Sequence, residues 1–431
     1  MYSMGSDRSG LRPCARHWAP AAGDLALPGA SVSGESTDRI TAMATITPKD
    51  HLVEHKSTVP ANRDDSVKLF VREYDGTKNK PRKAILMLHG RSVPALAGLD
   101  LQHGKYSWAQ SLAEDECDVF VMDLQGSGRS PRPKMNEPCN ANPALQEEML
   151  VPNPLSATCS PKYPYQLNNS QSDWDELDTV VEFIRNRHDV QKVALAGWSA
   201  ASFQLGPYAL QHPEKVESLL FLAPMFPPKG RGSKPGTRFD APVPLPVSAP
   251  AAVFGFPMNL TSKDGFEQAW ASQLQCPNQR EAGMLDVVWK AIMENDTVGK
   301  GWGPKEGRAP QGVMRFRNSF WWGWNSTTVP LDGTLGNAVP VLIVYGALDT
   351  TANTSPDLGQ LHFSVPALYK AIPGPNKLMF RVACTGHQMP WERQSKVLHR
   401  MSKQWFKRTA VEGLTNGCFD VDDDGVLTPM E

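Results

Sequence analysis

Six short apolar runs restrict the fold of this chain more than any other feature. They occupy 83–88 (KAILML), 118–122 (DVFVM), 192–196 (KVALA), 219–223 (LLFLA), 340–345 (PVLIVY) and 377–382 (KLMFRV). Each is too short for a core helix and lacks the in–out alternation of a strand with one wet face. Bounded by Gly, Pro or Asp, such runs fit strands buried on both sides. Between them, 174–187 carries apolar residues at helical spacing, and 199–212 follows the third run directly. Alternation of this kind predicts an α/β fold, with a mostly parallel central sheet flanked by helices.

The regularity breaks twice. Residues 130–172 are rich in Pro and Asn and read as a loop insertion. Residues 226–337 open on a Pro/Gly-rich entry and hold six of the twelve Trp. They read as a helical cap over the carboxyl edge of the sheet. The expected organisation is a disordered extension over 1–42, core over 43–225, cap over 226–337, core again over 338–410, and a tail over 411–431. Met43 opens a more ordinary N-terminus than Met1 does.

The chemistry converges on Ala196-Gly197-Trp198-Ser199-Ala200-Ala201, between a buried run and a helix. A serine on that tight turn is lifted above the sheet, and small flanking residues let the turn close. Its hydroxyl needs a base, and the oxyanion it generates needs N–H donors. His387, just past the sixth run, is the candidate base; Asp349, just past the fifth, is the candidate orienting acid. Each lies beyond a strand's carboxyl end, so the fold would bring all three to one edge. The backbone N–H groups of Arg91 and Ala200 are the expected oxyanion donors. Trp198, Trp321 and Trp322 are candidate pocket walls. His89 and Asp123 read as structural, and Cys384 as a buried core thiol.

With these residues in view, the chain resembles the α/β-hydrolase family, in its serine-nucleophile branch with a cap. The resemblance covers about 65–225 and 338–408. It rests on His89-Gly90, the DLQGSGRS string at 123–130, GWSAA at 197–201, Asp349 and Gly386-His387, in the family order. Ala201 stands where the family pattern G-x-S-x-G has its second Gly. The resemblance implies hydrolysis of a carboxylic ester or lactone through an acyl-enzyme, without a cofactor. Relatives that use an Asp nucleophile, epoxide hydrolases and haloalkane dehalogenases, are disfavoured by Ser199. Three alternatives stay open: an amide or peptide hydrolase of prolyl-aminopeptidase type, an acyltransferase, and a non-catalytic binding protein. The first would want a cap carboxylate for the substrate amine, with Glu267, Glu281 and Glu294 available.

A formal net charge of −1 and the absence of Lys/Arg blocks argue against nucleic acid. No apolar run approaches the roughly 18 residues of a membrane span. The expected partner is a small acyl substrate, bulky and apolar; oligomeric state is left open. No apolar signal segment is visible, so the seven Cys read as free thiols in the cytoplasm, with Cys139–Cys159 as the one pairing to consider. No metal is expected, although Asp420, Asp422, Asp424 and Glu431 match an EF-hand loop. A β-hairpin turning at Asp424-Gly425 is the preferred reading of that segment.

Overall fold

The computed structural model describes residues 46–78, 81–232, 239–240, 255–307, 309–356 and 362–430. The expectations for 1–42 and for Glu431 fall outside them. Among the described residues, ten strands form one sheet. In chain order they are β1 (Lys49–Lys56), β2 (Ser66–Tyr74), β3 (Ala84–Leu88), β4 (Asp118–Met122), β5 (Val193–Trp198), β6 (Val216–Leu222), β7 (Val341–Gly346), β8 (Lys377–Val382), β9 (Gly417–Val421) and β10 (Leu427–Pro429). Their spatial order is β1-β2-β4-β3-β5-β6-β7-β8-β9-β10. The seven strands from β4 through β9 run parallel; β1, β2 and β10 pair antiparallel. Every residue of β3, β4 and β5 is buried, as their apolar runs require; Asp118, which opens β4, is buried against Arg82.

Helices cover the sheet: α1 (Trp108–Ala113), α2 (Ser170–His188), α3 (Ser202–Gln211), α4 (Val365–Ala371) and α5 (Ser395–Arg408). Helix α2 starts where the Asn169 side chain accepts the Ser172 N–H. It buries Trp174, Leu177, Val181 and Ile184 along one face.

The two irregular segments pack together. Met258–Thr261 pairs antiparallel with Met314–Arg317, and Ser319–Phe320 pairs with Asn168–Asn169. Met135, Met149, Leu150 and Leu167 from the first share a separate small core with Met258, Leu260, Trp302 and Val313 from the second. The 226–337 segment is not purely helical: Lys263–Ala271, Met284–Glu294 and Thr297–Lys300 are helices, with short strands around them. The 130–172 segment likewise includes a helix, Pro143–Met149.

Two sequence expectations are corrected. The thiols are not all free: Cys139 is bonded to Cys159, and Cys276 to Cys384, while Cys117 and Cys418 are free. Cys384 looked like core because nothing in its spacing from Cys276, 108 residues away, signals a pairing. The C-terminal segment is no tail, since β9 lies beside β8 in the sheet. It turns back as a β9–β10 hairpin, and Asp420 is held by Arg381 rather than by its neighbours. Asp422 accepts the N–H groups of Asp424 and Val426. Among the described residues no His, Cys, Asp and Glu cluster could hold a metal ion, and no helix is long and apolar enough to cross a membrane.

Candidate active site

The strand order reverses at β3, because the chain goes from β3 to β4 on one side and later to β5 on the other. Crevices at the carboxyl ends of strands open at such a reversal. Leu88 pairs with Gly197, which brings the turns after β3 and β5 together. Gly346 pairs with Val382, which does the same for the turns after β7 and β8.

Ser199 has φ +59°, a left-handed conformation uncommon for a residue with a side chain. The turn is fixed on both sides. Its carbonyl accepts the Met225 N–H at 3.2 Å and the Ser202 hydroxyl at 3.0 Å. Position 197 must be glycine: a Cβ there would lie 2.5 Å from Leu205 Cδ1 and 2.8 Å from Ala201 Cβ. The same contact shows how Ala201 is accommodated, since its methyl fills space that Gly197 leaves open.

The structure brings the three candidate residues together. The Ser199 hydroxyl lies 2.8 Å from His387 Nε2, and His387 Nδ1 lies 2.9 Å from Asp349 Oδ2. Asp349 Oδ1 accepts the N–H groups of Thr351 and Ala352 at 2.9 and 2.8 Å, which orients the carboxylate. All three side chains are buried. A carboxylate facing Nδ1 favours the tautomer with its proton there, leaving Nε2 free to accept from the hydroxyl. The arrangement can therefore withdraw a proton from Ser199 as the oxygen attacks.

The Arg91 N–H has no backbone partner among the described residues, and the Ala200 N–H lies in the first turn after Ser199. Gly90, just before Arg91, packs against Ser199. Backbone N–H groups in such positions are the kind of donors that an oxyanion would need. The Arg91 side chain is exposed, with its guanidinium end held against the protein. It donates to Asn318 Oδ1 and lies over Phe316. Desolvation and Arg317 hold it below the ordinary arginine range.

The supporting residues behave as structural parts. Burial and Arg317 push His89 down to about 3, so its ring is neutral. Nε2 accepts the Leu124 N–H, and Nδ1 faces the Gly90 carbonyl at 2.5 Å. Asp123 accepts from the N–H groups of Ala95 and Arg129 and so fixes its own turn.

The three pocket candidates differ in exposure. Trp198 is buried against Gly90, Gly98 and Trp391, and its indole N–H donates to the His387 carbonyl at 3.0 Å. Trp322 is buried against Trp174 and Phe320, with its N–H on the Phe239 carbonyl. Trp321 alone keeps a partly exposed face; it stacks on Phe203 of α3 at 4.6 Å. Among the described residues, none of the three cap carboxylates is hydrogen-bonded to Ser199, His387 or Asp349. Glu267 forms a two-point pair with Arg280, while Glu281 and Glu294 are exposed. A surface cleft of about 1200 Å³ between Tyr106, Glu281, Arg393 and Lys407 includes none of the triad.

Sequence reasoning missed Gln273, Cys276 and Glu392, which surround the His387 loop. They lie in stretches without a motif, and only the three-dimensional fold brings them there.

The sequence model of a family described as "alpha/beta hydrolase fold" matches residues 83–394. No curated protein matches the sequence. Among solved structures, similarity extends to a serine hydrolase from Cycloclasticus zankles, 15% identical over 84% of this chain and 99% of that one, with a TM-score of 0.44. A thermophilic esterase from Thermogutta terrifontis is 14% identical over 83% and 98%, TM-score 0.44. A carboxylesterase from Bacillus subtilis is 12% identical over 84% and 93%, TM-score 0.44.

Proposed function

Because the chain belongs to the alpha/beta-hydrolase fold family, we propose that it is a serine hydrolase that cleaves a carboxylic ester or lactone through an acyl-enzyme. The observation that carries this reading is the buried line from Asp349 through His387 to Ser199, with both links at hydrogen-bond length. Ser199 Oγ attacks the acyl carbon while His387 Nε2 takes the hydroxyl proton. Asp349 holds the imidazole in register and balances the imidazolium. The oxyanion is received by the N–H groups of Ala200 and Arg91. His387 returns its proton to the leaving oxygen, which leaves as an alcohol, or as the tethered hydroxyl of an opened lactone. Water, deprotonated by the same imidazole, then attacks the acyl-enzyme and releases the acid and Ser199.

Of the cap carboxylates that an N-terminal aminoacyl substrate would want, Glu267 is already paired with Arg280. The Trp321–Phe203 stack favours an apolar acyl group. The segments 130–172 and 226–337 act as the cap. Two disulfides favour an oxidising compartment over the cytoplasm expected from the sequence.

The test is a panel of p-nitrophenyl esters, lactones and aminoacyl anilides. Esters or lactones are expected to turn over, with Ser199→Ala losing roughly six orders of magnitude in kcat. Turnover of anilides alone, or ester turnover unaffected by Ser199→Ala, contradicts the reading.

A further inference from the structure

The loop that carries His387 is gripped from the inserted segment. Cys276 is disulfide-bonded to Cys384, three residues before His387. Gln273, itself buried, reaches the same loop: its Oε1 accepts the His387 N–H at 2.8 Å. Its Nε2 donates to Thr351 Oγ1 at 2.9 Å, and the Thr351 N–H in turn holds Asp349 Oδ1. One carboxamide thus spans the base loop and the acid loop. The fit leaves no room, since a Cβ on Gly386 would lie 2.8 Å from Gln273 Oε1.

Behind this contact Glu392 is fully buried. It accepts from Thr385 Oγ1, the Gly386 N–H, Trp270 Nε1 and Gln279 Nε2 at 2.6 to 3.0 Å. Gln279 Nε2 also donates to the Gln273 carbonyl. On the far side, the His387 carbonyl accepts from Trp198 Nε1. The His387 backbone is therefore fixed at its N–H by the inserted segment and at its carbonyl by the residue before the nucleophile.

We propose that Gln273 and the Cys276–Cys384 disulfide form a clasp through which the inserted segment positions the His387 imidazole, so that cutting this disulfide with a dithiol slows hydrolysis while the sheet stays folded. The proposal rests on the triad reading above. Gln273 is a positioning residue, hydrogen-bonded to the backbone of His387 and not to its ring. In the reduction, the dithiol loses two hydrogens and closes to its own disulfide, and Cys276 and Cys384 each gain one. The charged groups around the imidazole are Asp349, on Nδ1, and Glu392, on the preceding Gly386 N–H; Trp198 packs beside the ring.

The experiment compares the oxidised full-length protein with Gln273→Leu, Gln273→Glu and Cys276→Ser/Cys384→Ser. Cys139→Ser/Cys159→Ser serves as the control for loss of a disulfide elsewhere. Rates on p-nitrophenyl butyrate are read as kcat and KM across pH. The His387 ring is followed by NMR titration, which reports its setting whether or not the ester turns over. In Gln273→Leu and Cys276→Ser/Cys384→Ser, kcat is expected to fall about 10- to 100-fold with little change in KM. The acid limb of the rate profile and the ring titration should move together. Gln273→Glu, which keeps the acceptor for the His387 N–H, should recover part of the loss. Dithiothreitol on the wild type should produce the same loss, reversed by reoxidation and still present in the control. A folded Cys276→Ser/Cys384→Ser protein with the wild-type kcat, pH profile and His387 titration overturns the clasp. So does a wild type whose His387 titration is unmoved once Cys276 and Cys384 are reduced. A wild type that hydrolyses no ester or lactone defeats the hydrolase reading instead, and the titration still decides the clasp.

Discussion

Ser199 holds a left-handed backbone because the residues around it leave no other course: Gly197 yields space to Leu205 and Ala201, and Met225 and Ser202 pin the carbonyl. Gly197→Ala should therefore cost about 1–3 kcal/mol in urea unfolding, through overpacking. Adding Ala201→Gly should recover part of that cost, because it removes one of the two clashes. Asp349→Asn should leave the fold intact and lower kcat by about 10⁴-fold, because the amide no longer enforces the productive tautomer; circular dichroism and ester kinetics check the two halves. At this scale the meeting of Ser199, His387 and Asp349 was legible, since each follows an apolar run and strand ends converge in this topology. Gln273 and Glu392 were not. A buried carboxamide or carboxylate acquires its partners only through long-range packing, and no local spacing marks it.

Among the elements, the strands buried on both faces were the easiest to read, and β4 and β8 begin and end where their apolar runs do. The pair β1 and β2 escaped notice because β1 is an edge strand with most side chains exposed and carries a mixed, charged sequence. The setting of the tryptophans was hidden for a related reason. Burial of an indole is decided by which face of its element meets the core, and the sequence around Trp198 and Trp322 does not reveal that.

The β1–β2 end of the sheet also carries a charge cluster with a readable pH signature. Burial alone would raise the Glu73 carboxyl, but hydrogen bonds from Arg187, His188 and His51 outweigh it and hold it at about 2. Asp118, likewise desolvated, is held at about 2 by His188, the Thr77 N–H and Arg82. Burial would lower His188, yet its bonds to Asp118 and Glu73 raise it above its ordinary value. The stabilisation from both acids is therefore full above about pH 4.5 and drains as pH falls toward 2. That from His188 is full below about pH 6.5 and is lost as pH rises through its folded value. Glu73→Gln should cost about 3 kcal/mol near pH 6 and flatten the acid side of the Tm-versus-pH curve. Thermal scans from pH 3 to 8 check this.

Across the whole molecule, two insertions that are remote in sequence act as one layer. Arg315 joins them: buried, it pairs with Asp296 and donates to the Met135 carbonyl and Asn136. Arg315→Ala leaves Asp296 with Arg132 at 3.4 Å and the Gly299 N–H, and should cost about 3 kcal/mol, read by denaturant unfolding. That 130–172 and 226–337 interrupt the strand–helix alternation was visible in their composition, whereas their mutual packing was not, because contacts between insertions leave no periodic trace.

The claim on which the account turns is that Ser199 becomes covalently acylated with His387 as its base. Labelling the folded protein with a fluorophosphonate and mapping the modified peptide tests it most directly. The account predicts one adduct, on Ser199, formed at least about 100-fold more slowly in His387→Ala. An unlabelled Ser199, or an adduct whose rate is indifferent to His387, contradicts it.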